Sequence, residues 1–220
     1  MKKVNKILCA GFASLICLFG FTGCGNEKEG TKVISCVPDE KESKGMWYEF
    51  VLAEDGKTVT QFVEHIGIDR DFLANNVTFE DGSQLETQED LEYAWDTYGT
   101  YYSRMMDAYL QEYGDKSWLY FDMDSSEEDL TLELSWGVDL TDETLNLEDE
   151  TVRTMINGLL TTTSDVFYNK EENCYQVDTK LLEENMDTQG MYKYVCSNKI
   201  VENVDDLEFT KLVKKVSNKN

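Results

Sequence analysis

A strictly alternating stretch at residues 130–138, LTLELSWGV, decides the fold class of this chain. Large apolar side chains occupy every second position, and threonine, glutamate, serine and glycine lie between them. Successive side chains of a strand point to opposite faces, so the pattern predicts a strand with one buried and one wet face. Residues 117–123 precede it across an acidic segment, and the two runs predict an antiparallel hairpin.

Further β-prone runs lie on both sides of this hairpin. Two of them flank Glu54-Asp55-Gly56-Lys57, in which Asp-Gly is a strong two-residue hairpin signal. The run at 33–37 is predicted to end at Pro38, the only proline of the chain. The predicted strands outside the first hairpin are residues 33–37, 46–53, 58–65, 166–168, 174–177 and 191–197.

One long helix is predicted from Thr87 to Gly114. The Thr87 hydroxyl can cap the helix start, and Glu89 and Asp90 suit the first turn. Apolar side chains then recur at spacings of three and four, which makes one continuous stripe of Leu91, Trp95, Tyr98, Tyr102, Met105 and Tyr109. Shorter helices are predicted to start at Asn146 and Asp178. Together these elements predict an α+β fold, an antiparallel sheet of hairpins with the long amphipathic helix packed across it.

The first 23 residues have the order of an export signal. Lys2, Lys3 and Lys6 precede an apolar run at 7–21, which is shorter than the roughly 18 residues that indicate a membrane-spanning helix. Thr22 and Gly23 then supply the small side chains of a cleavage site. An ordinary secretory signal that releases a free protein is one interpretation of this order.

The other interpretation begins with a resemblance at Cys24. Thr22-Gly23-Cys24 resembles the lipobox of bacterial lipoproteins, although Phe21 stands where that motif usually has an aliphatic residue. The resemblance implies that Cys24 is acylated (palmitate) and becomes the first residue of the mature chain. Two acyl chains anchor a protein stably in a membrane. The bilayer is then a partner through the Cys24 lipid, and the predicted location is the extracytoplasmic face of the cell membrane.

The predicted division of the chain is a cleaved signal (1–23), a lipidated cysteine with a polar tether (24–32), one extracytoplasmic domain (33–208) and a basic tail (209–220). The formal charge is −24, and removal of three lysines with the signal makes it −27. Such an acidic chain repels nucleic acid, which is therefore excluded as a partner. The tail contains four lysines and no acid from Lys211 onward, and it is predicted to be solvated.

Three cysteines remain once the signal is removed and Cys24 is acylated. An exported protein permits disulfides. Cys36 and Cys196 are the favoured pair, because both lie in predicted strands near the two ends of the domain, and Cys174 is then free. The spacing of these cysteines does not resemble a zinc site, and no cofactor is expected.

The order of elements between residues 33 and 197 loosely resembles the YehR-like small lipoproteins. The similarity rests on cysteine-containing strands at both ends, the Asp-Gly-Lys hairpin and a helix followed by the alternating strand. It implies no assigned activity, and this chain has extra sequence between Asp139 and Gln176.

Catalytic and metal-binding residues are few in this sequence. His65, the only histidine, lies outside any nucleophile motif and is interpreted as structural. Among 44 acids some pair always suits a carboxylate-dependent hydrolase, so that alternative stays open. A weak calcium candidate has oxygen ligands spaced as in a calcium loop, but Glu127 stands where the turn requires glycine. Its residues are Asp122, Asp124, Ser126 and Glu133.

Three tyrosines of the long helix point away from its apolar stripe. Tyr93, Tyr101 and Tyr113 are predicted to form a ligand or partner face, rimmed by acids. The preferred interpretation is therefore a non-enzymatic module of the cell envelope that binds a protein or a small ligand. The alternatives are the carboxylate hydrolase and a protein that binds calcium or a cationic ligand.

Overall fold

The computed structural model describes residues 30–39, 45–162, 164–186 and 193–219. The strands are β1 (Thr31–Pro38), β2 (Trp47–Leu52), β3 (Val59–Ile68), β4 (Leu119–Ser126), β5 (Thr131–Asp139), β6 (Tyr168–Asn169), β7 (Cys174–Tyr175) and β8 (Tyr194–Val201). The helices are α1 (Arg70–Asn76), α2 (Gln88–Tyr113), α3 (Glu150–Leu159), α4 (Thr179–Asn185) and α5 (Glu208–Lys219). The predicted signal and Cys24 lie outside the described residues.

Six strands form one antiparallel sheet in the order β4-β5-β3-β2-β1-β8, and β6 and β7 form a separate small hairpin. The predicted α+β class is confirmed. Because neighbouring strands run in opposite directions, each end of the sheet contains the starts of some strands and the stops of others. We call the end where β1 starts and β8 stops the Gly30 end, and the end where β1 stops and β8 starts the Pro38 end.

One face of the sheet forms the main core. The alternating side chains of β5 point into it together with Ile34, Phe50 and Phe62, all of them nearly inaccessible to solvent. Apolar side chains from α1, α2, α3 and α4 pack against this face. The predicted Asp-Gly turn between β2 and β3 is present, and Gly56 has φ of 72°, a conformation that glycine adopts without strain.

Helix α2 begins and ends where the sequence predicts. The Thr87 hydroxyl accepts a hydrogen bond from the Asp90 N–H, and the Asp90 carboxylate accepts one from the Thr87 N–H, which completes a capping box. Gly114 follows its last turn. The predicted apolar stripe packs on the core, yet only Ala94 and Tyr113 of this helix are fully buried.

Helix α5 contradicts the predicted basic tail at 209–220. Phe209 and Leu212 are buried on the second face of the sheet, where Gly137 leaves the space they occupy. Lys215 and Lys219 pair with carboxylates of β4. The prediction was wrong because it weighed the lysines and overlooked the apolar residues between them.

Smaller departures concern element boundaries. Strand β1 starts at Thr31, so the predicted tether at 24–32 overlaps the sheet. Asp149 caps α3 instead of Asn146, while Asp178 caps α4 as predicted. Helix α1 was not predicted. Among the described residues, no helix combines the length and apolar character that a membrane span requires.

Candidate functional site

A cleft lies between the first turns of α2 and the segment that precedes them, at the Pro38 end of the sheet. Its volume is about 700 Å³, within the usual range for small-molecule sites. We call it the α2 cleft, and it is lined by Val77, Thr78, Phe79, Glu80, Asp81, Ser83, Leu85, Tyr93, Ala94, Thr97 and Tyr98.

The wall opposite α2 is a tight turn. The Gly82 N–H donates to the Phe79 carbonyl at 2.8 Å, and the Phe79 N–H donates to the Ser83 carbonyl at 3.0 Å. Gly82 has φ of 82°, which a side chain would strain. The turn therefore holds Phe79, Glu80 and Asp81 in a defined position facing the helix.

The α2 side of the cleft is aromatic. Tyr93 is 66% exposed, whereas Ala94 beside it is buried and allows close approach to the helix backbone. Tyr98 stands edge-on against Phe72 of α1, with ring centroids 6.2 Å apart, and burial raises its pKa. One ring of the cleft is thus fixed by packing and another is free to cover a ligand.

The rim of the cleft is acidic. The Asp81 carboxylate accepts hydrogen bonds from the Ser83 hydroxyl at 2.7 Å and the Ser83 N–H at 3.0 Å. These bonds lower the pKa of Asp81 and keep it ionised. Glu80 lies next to it, and no lysine or arginine is among the lining residues of this described cleft.

The structure separates the three tyrosines that the sequence predicts as one face. Tyr101 is 61% exposed but lines a shallower groove on the outer side of α2, with Asp96 and Arg104. Tyr113 is 8% exposed and packs against Trp118, with ring centroids 6.0 Å apart. Its inclusion in the face was wrong, because the chain after Gly114 folds back and covers it. Of these three tyrosines, Tyr93 alone lines the α2 cleft.

His65 lies on the second face of the sheet. Its ring stacks on Trp47 with centroids 5.1 Å apart, and Nδ1 is 2.9 Å from the Ser135 hydroxyl. Burial lowers its pKa. A cleft of about 430 Å³ lies beside it, lined also by Asp69 and Glu133. With Ser135 on Nδ1 and Trp47 on the ring face, the packing agrees with a structural histidine.

The calcium candidate is not assembled. Asp122 is buried, and both Asp122 and Asp124 accept ion pairs from Lys215 and Lys219 at 2.5 to 2.9 Å. Ser126 bonds to Asp129 in the hairpin turn. Glu133 stands across the strand pair from Asp124, but no group of three metal-ligating residues occurs in the part of the chain that the structure describes. The ammonium groups of Lys215 and Lys219 therefore occupy the position that a calcium ion would need. The predicted solvated tail did not include these ion pairs.

The predicted Cys36–Cys196 pair is joined in the structure. The two cysteines face each other across β1 and β8, with Cα atoms 4.1 Å apart and a sequence separation of 160. Cys174 is free and partly exposed. The bond fixes β8, the edge strand, to the rest of the sheet.

Two buried carboxylates, Glu49 and Glu64, were not predicted from the sequence. Glu64 points into the main core from β3, between Tyr48 of β2 and Trp136 of β5, and is 4% exposed. Burial raises its pKa well above the ordinary value, and polar contacts with Tyr48 and Trp136 only partly oppose this. Glu64 Oε2 has no hydrogen bond of normal geometry. A single glutamate between Val63 and His65 in a predicted strand gives no distinctive signal in the sequence.

Comparison with known proteins adds no function. No protein-family model and no curated protein matches the chain. A solved structure, an NMR structure of a protein from Streptococcus pneumoniae TIGR4, is similar over 90% of this chain and 99% of that one, with 10% identity and a TM-score of 0.32. At that TM-score the likeness supports no argument about fold or activity.

Proposed function

We propose that this protein is a lipid-anchored binding module of the cell envelope, held by Cys24 on the extracytoplasmic face of the membrane, and that its α2 cleft takes a small organic cation. The carrying observation is the composition of the cleft. It combines aromatic rings, ionised carboxylate and hydroxyls, with no basic side chain among its lining residues.

The chemistry of the ligand follows from these groups. Aromatic faces attract cations, and ammonium groups with apolar bodies are recognised by rings in this way. Tyr93 and Phe79 supply rings, and Leu85 and Val77 supply apolar surface. Asp81, whose pKa is lowered by Ser83, supplies a fixed negative charge. The chain charge of −24 further favours the approach of cations over anions.

Titration with organic ammonium ions tests the cleft. We expect phenethylammonium to bind more tightly than methylammonium, since both carry one charge and only the former fills apolar space. Tyr93→Ala is expected to weaken phenethylammonium binding roughly fivefold, because a cation–ring contact at an exposed site contributes about 1 kcal/mol. Isothermal titration calorimetry measures both effects.

Matched controls are available in the chain. Tyr101→Ala removes an equally exposed tyrosine from the same helix outside the α2 cleft and is expected to leave binding unchanged. Phenethyl alcohol has the same apolar body without the charge and should bind more weakly. Equal binding of the alcohol and the ammonium ion, or equal losses in the two tyrosine variants, would contradict the proposal.

The anchor is tested separately in cells. Metabolic labelling with radioactive palmitate is expected to mark the wild-type protein and not the Cys24→Ser variant. Membrane fractionation should show loss of the variant from the membrane, because a single polar substitution removes the site of both acyl chains. Labelling that persists in Cys24→Ser would refute acylation at this residue.

A further inference from the structure

The chain enters the fold at one corner of the sheet. Gly30 lies against β8, where a Cβ on it would be 2.7 Å from Ile200 Cγ2 and 2.8 Å from the Val201 carbonyl oxygen. Lys32, two residues later, stands opposite Ile200 and donates to the Glu54 carbonyl at 3.0 Å. The corner therefore brings together the start of β1, the end of β8 and the turn between β2 and β3.

The distance from Cys24 to this corner is limited by covalent geometry. Gly30 is six positions after Cys24, and an extended chain spans at most about 3.3 to 3.6 Å per residue. Gly30 can then be no farther than about 22 Å from Cys24. That is shorter than the sheet itself, because the ten residues of β3 extend about 33 Å.

The surface of the corner suits a headgroup layer. Ile200 and Val204 are 43% and 58% exposed, although both are aliphatic. Acids and lysines are interspersed around them, whereas the chain as a whole is strongly acidic. Lys32 donates to the Glu54 carbonyl there, and Lys214 pairs with Asp205 at 2.9 Å. Acid-rich residues 141–150 lie at the β4 and β5 side of the same end and would be repelled by anionic lipid.

We infer that the domain rests on the bilayer at the corner formed by Gly30, the 53–58 turn, Ile200 and Val204, and that the α2 cleft opens away from the membrane. This orientation rests on the proposed anchoring through Cys24. In this orientation the β8 edge of the sheet lies nearest the membrane, because residues 141–150 at the other side of the Gly30 end are acidic. The α2 cleft lies at the Pro38 end, beyond the last residue of β3, and is thus presented to ligands outside the cell.

Hydrogen exchange on vesicles tests the orientation. The chain from residue 24 with Cys174→Ser has Cys24 as its reactive thiol, because Cys36 and Cys196 are bonded to each other. It is coupled to a maleimide lipid in phosphatidylethanolamine and phosphatidylglycerol vesicles. The reference is the same protein capped with N-ethylmaleimide beside plain vesicles. We expect exchange at residues 53–58 and 202–206 to slow at least about threefold on coupling, and exchange at residues 77–98 to stay unchanged.

Paired variants identify the contact. Ile200→Asp with Val204→Asp places charge on the corner and is expected to abolish the slowing. Val37→Asp with Val195→Asp makes the same change at two residues that are each 47% exposed at the Pro38 end, and should preserve it. The orientation is overturned if exchange at the corner does not slow, or if exchange at residues 77–98 slows equally. It is also overturned if the slowing persists in Ile200→Asp with Val204→Asp. Because the coupling is chemical, a failure of palmitate labelling in cells refutes the anchor separately from the exchange result.

Discussion

Replacement of both Cys36 and Cys196 by alanine is expected to lower the free energy of unfolding by about 5 kcal/mol. The disulfide closes a loop of about 160 residues, and in the chain-entropy model the stabilisation rises with the logarithm of loop length. Cys36 is fully buried, so alanine is chosen to avoid burial of an unpaired hydroxyl. A loss of this size is a large part of the stability of an ordinary domain.

Urea unfolding followed by tryptophan fluorescence measures this loss. Cys174→Ala is the matched control, because Cys174 is free and partly exposed, and its effect should stay within about 0.5 kcal/mol. Reduction of the wild-type protein with dithiothreitol should reproduce the double variant. A double variant as stable as the control would show that the bond contributes little beyond the contacts of β8 with β1.

Local signals in the sequence account for the elements that were predicted well. The start and end of α2 were predicted correctly from Thr87, Asp90 and Gly114, because capping residues act within a few positions of a helix end. Asp55 and Gly56 define the β2–β3 turn in the same way, with Asp55 accepting from Lys57 and Thr58. The alternation at 130–138 identifies which side chains of β5 enter the core.

Features that depend on distant partners were not predictable. The neighbours of β3 in the sheet are β2 and β5, and no local pattern specifies that the β4–β5 hairpin pairs through β5. The lysines of α5 predict a solvated tail, because their partners Asp122 and Asp124 lie some 90 residues earlier in the chain. The helical periodicity predicts Tyr113 at the surface, but Trp118, which lies beyond the end of the helix, covers it.

The candidate site was predictable only in part. An aromatic face on α2 with acids around it was expected, and Tyr93 does line a cleft of that character. Its other wall is the turn at Phe79 to Gly82, in a segment that the sequence left irregular. Periodicity describes one element at a time, whereas a cleft is formed by two elements whose approach depends on tertiary packing.

Glu64 gives the second large effect, which is a dependence of stability on pH. Its folded-state pKa is raised, so the folded protein holds the proton more firmly than the unfolded chain does. This stabilisation is fully present below the ordinary glutamate pKa, near 4.5. It is lost as pH rises through the interval between that value and the raised folded pKa, because the unfolded chain then gains stability by ionising.

The Glu64→Gln variant should remove this dependence. Glutamine has a similar shape and stays neutral, so the variant should match wild type at pH 4 and exceed its stability at pH 8. The gain should be about 1.4 kcal/mol for each pH unit that the titration of the unfolded glutamate precedes that of the folded one. The informative quantity is the difference between variant and wild type, since the other carboxylates titrate in both proteins. Thermal unfolding from pH 4 to pH 8 measures it. Glu143→Gln makes the same change at an exposed position and is expected to give no such trend. If the difference for Glu64→Gln stays constant across the range, Glu64 is ionised in the folded core and its charge is compensated there.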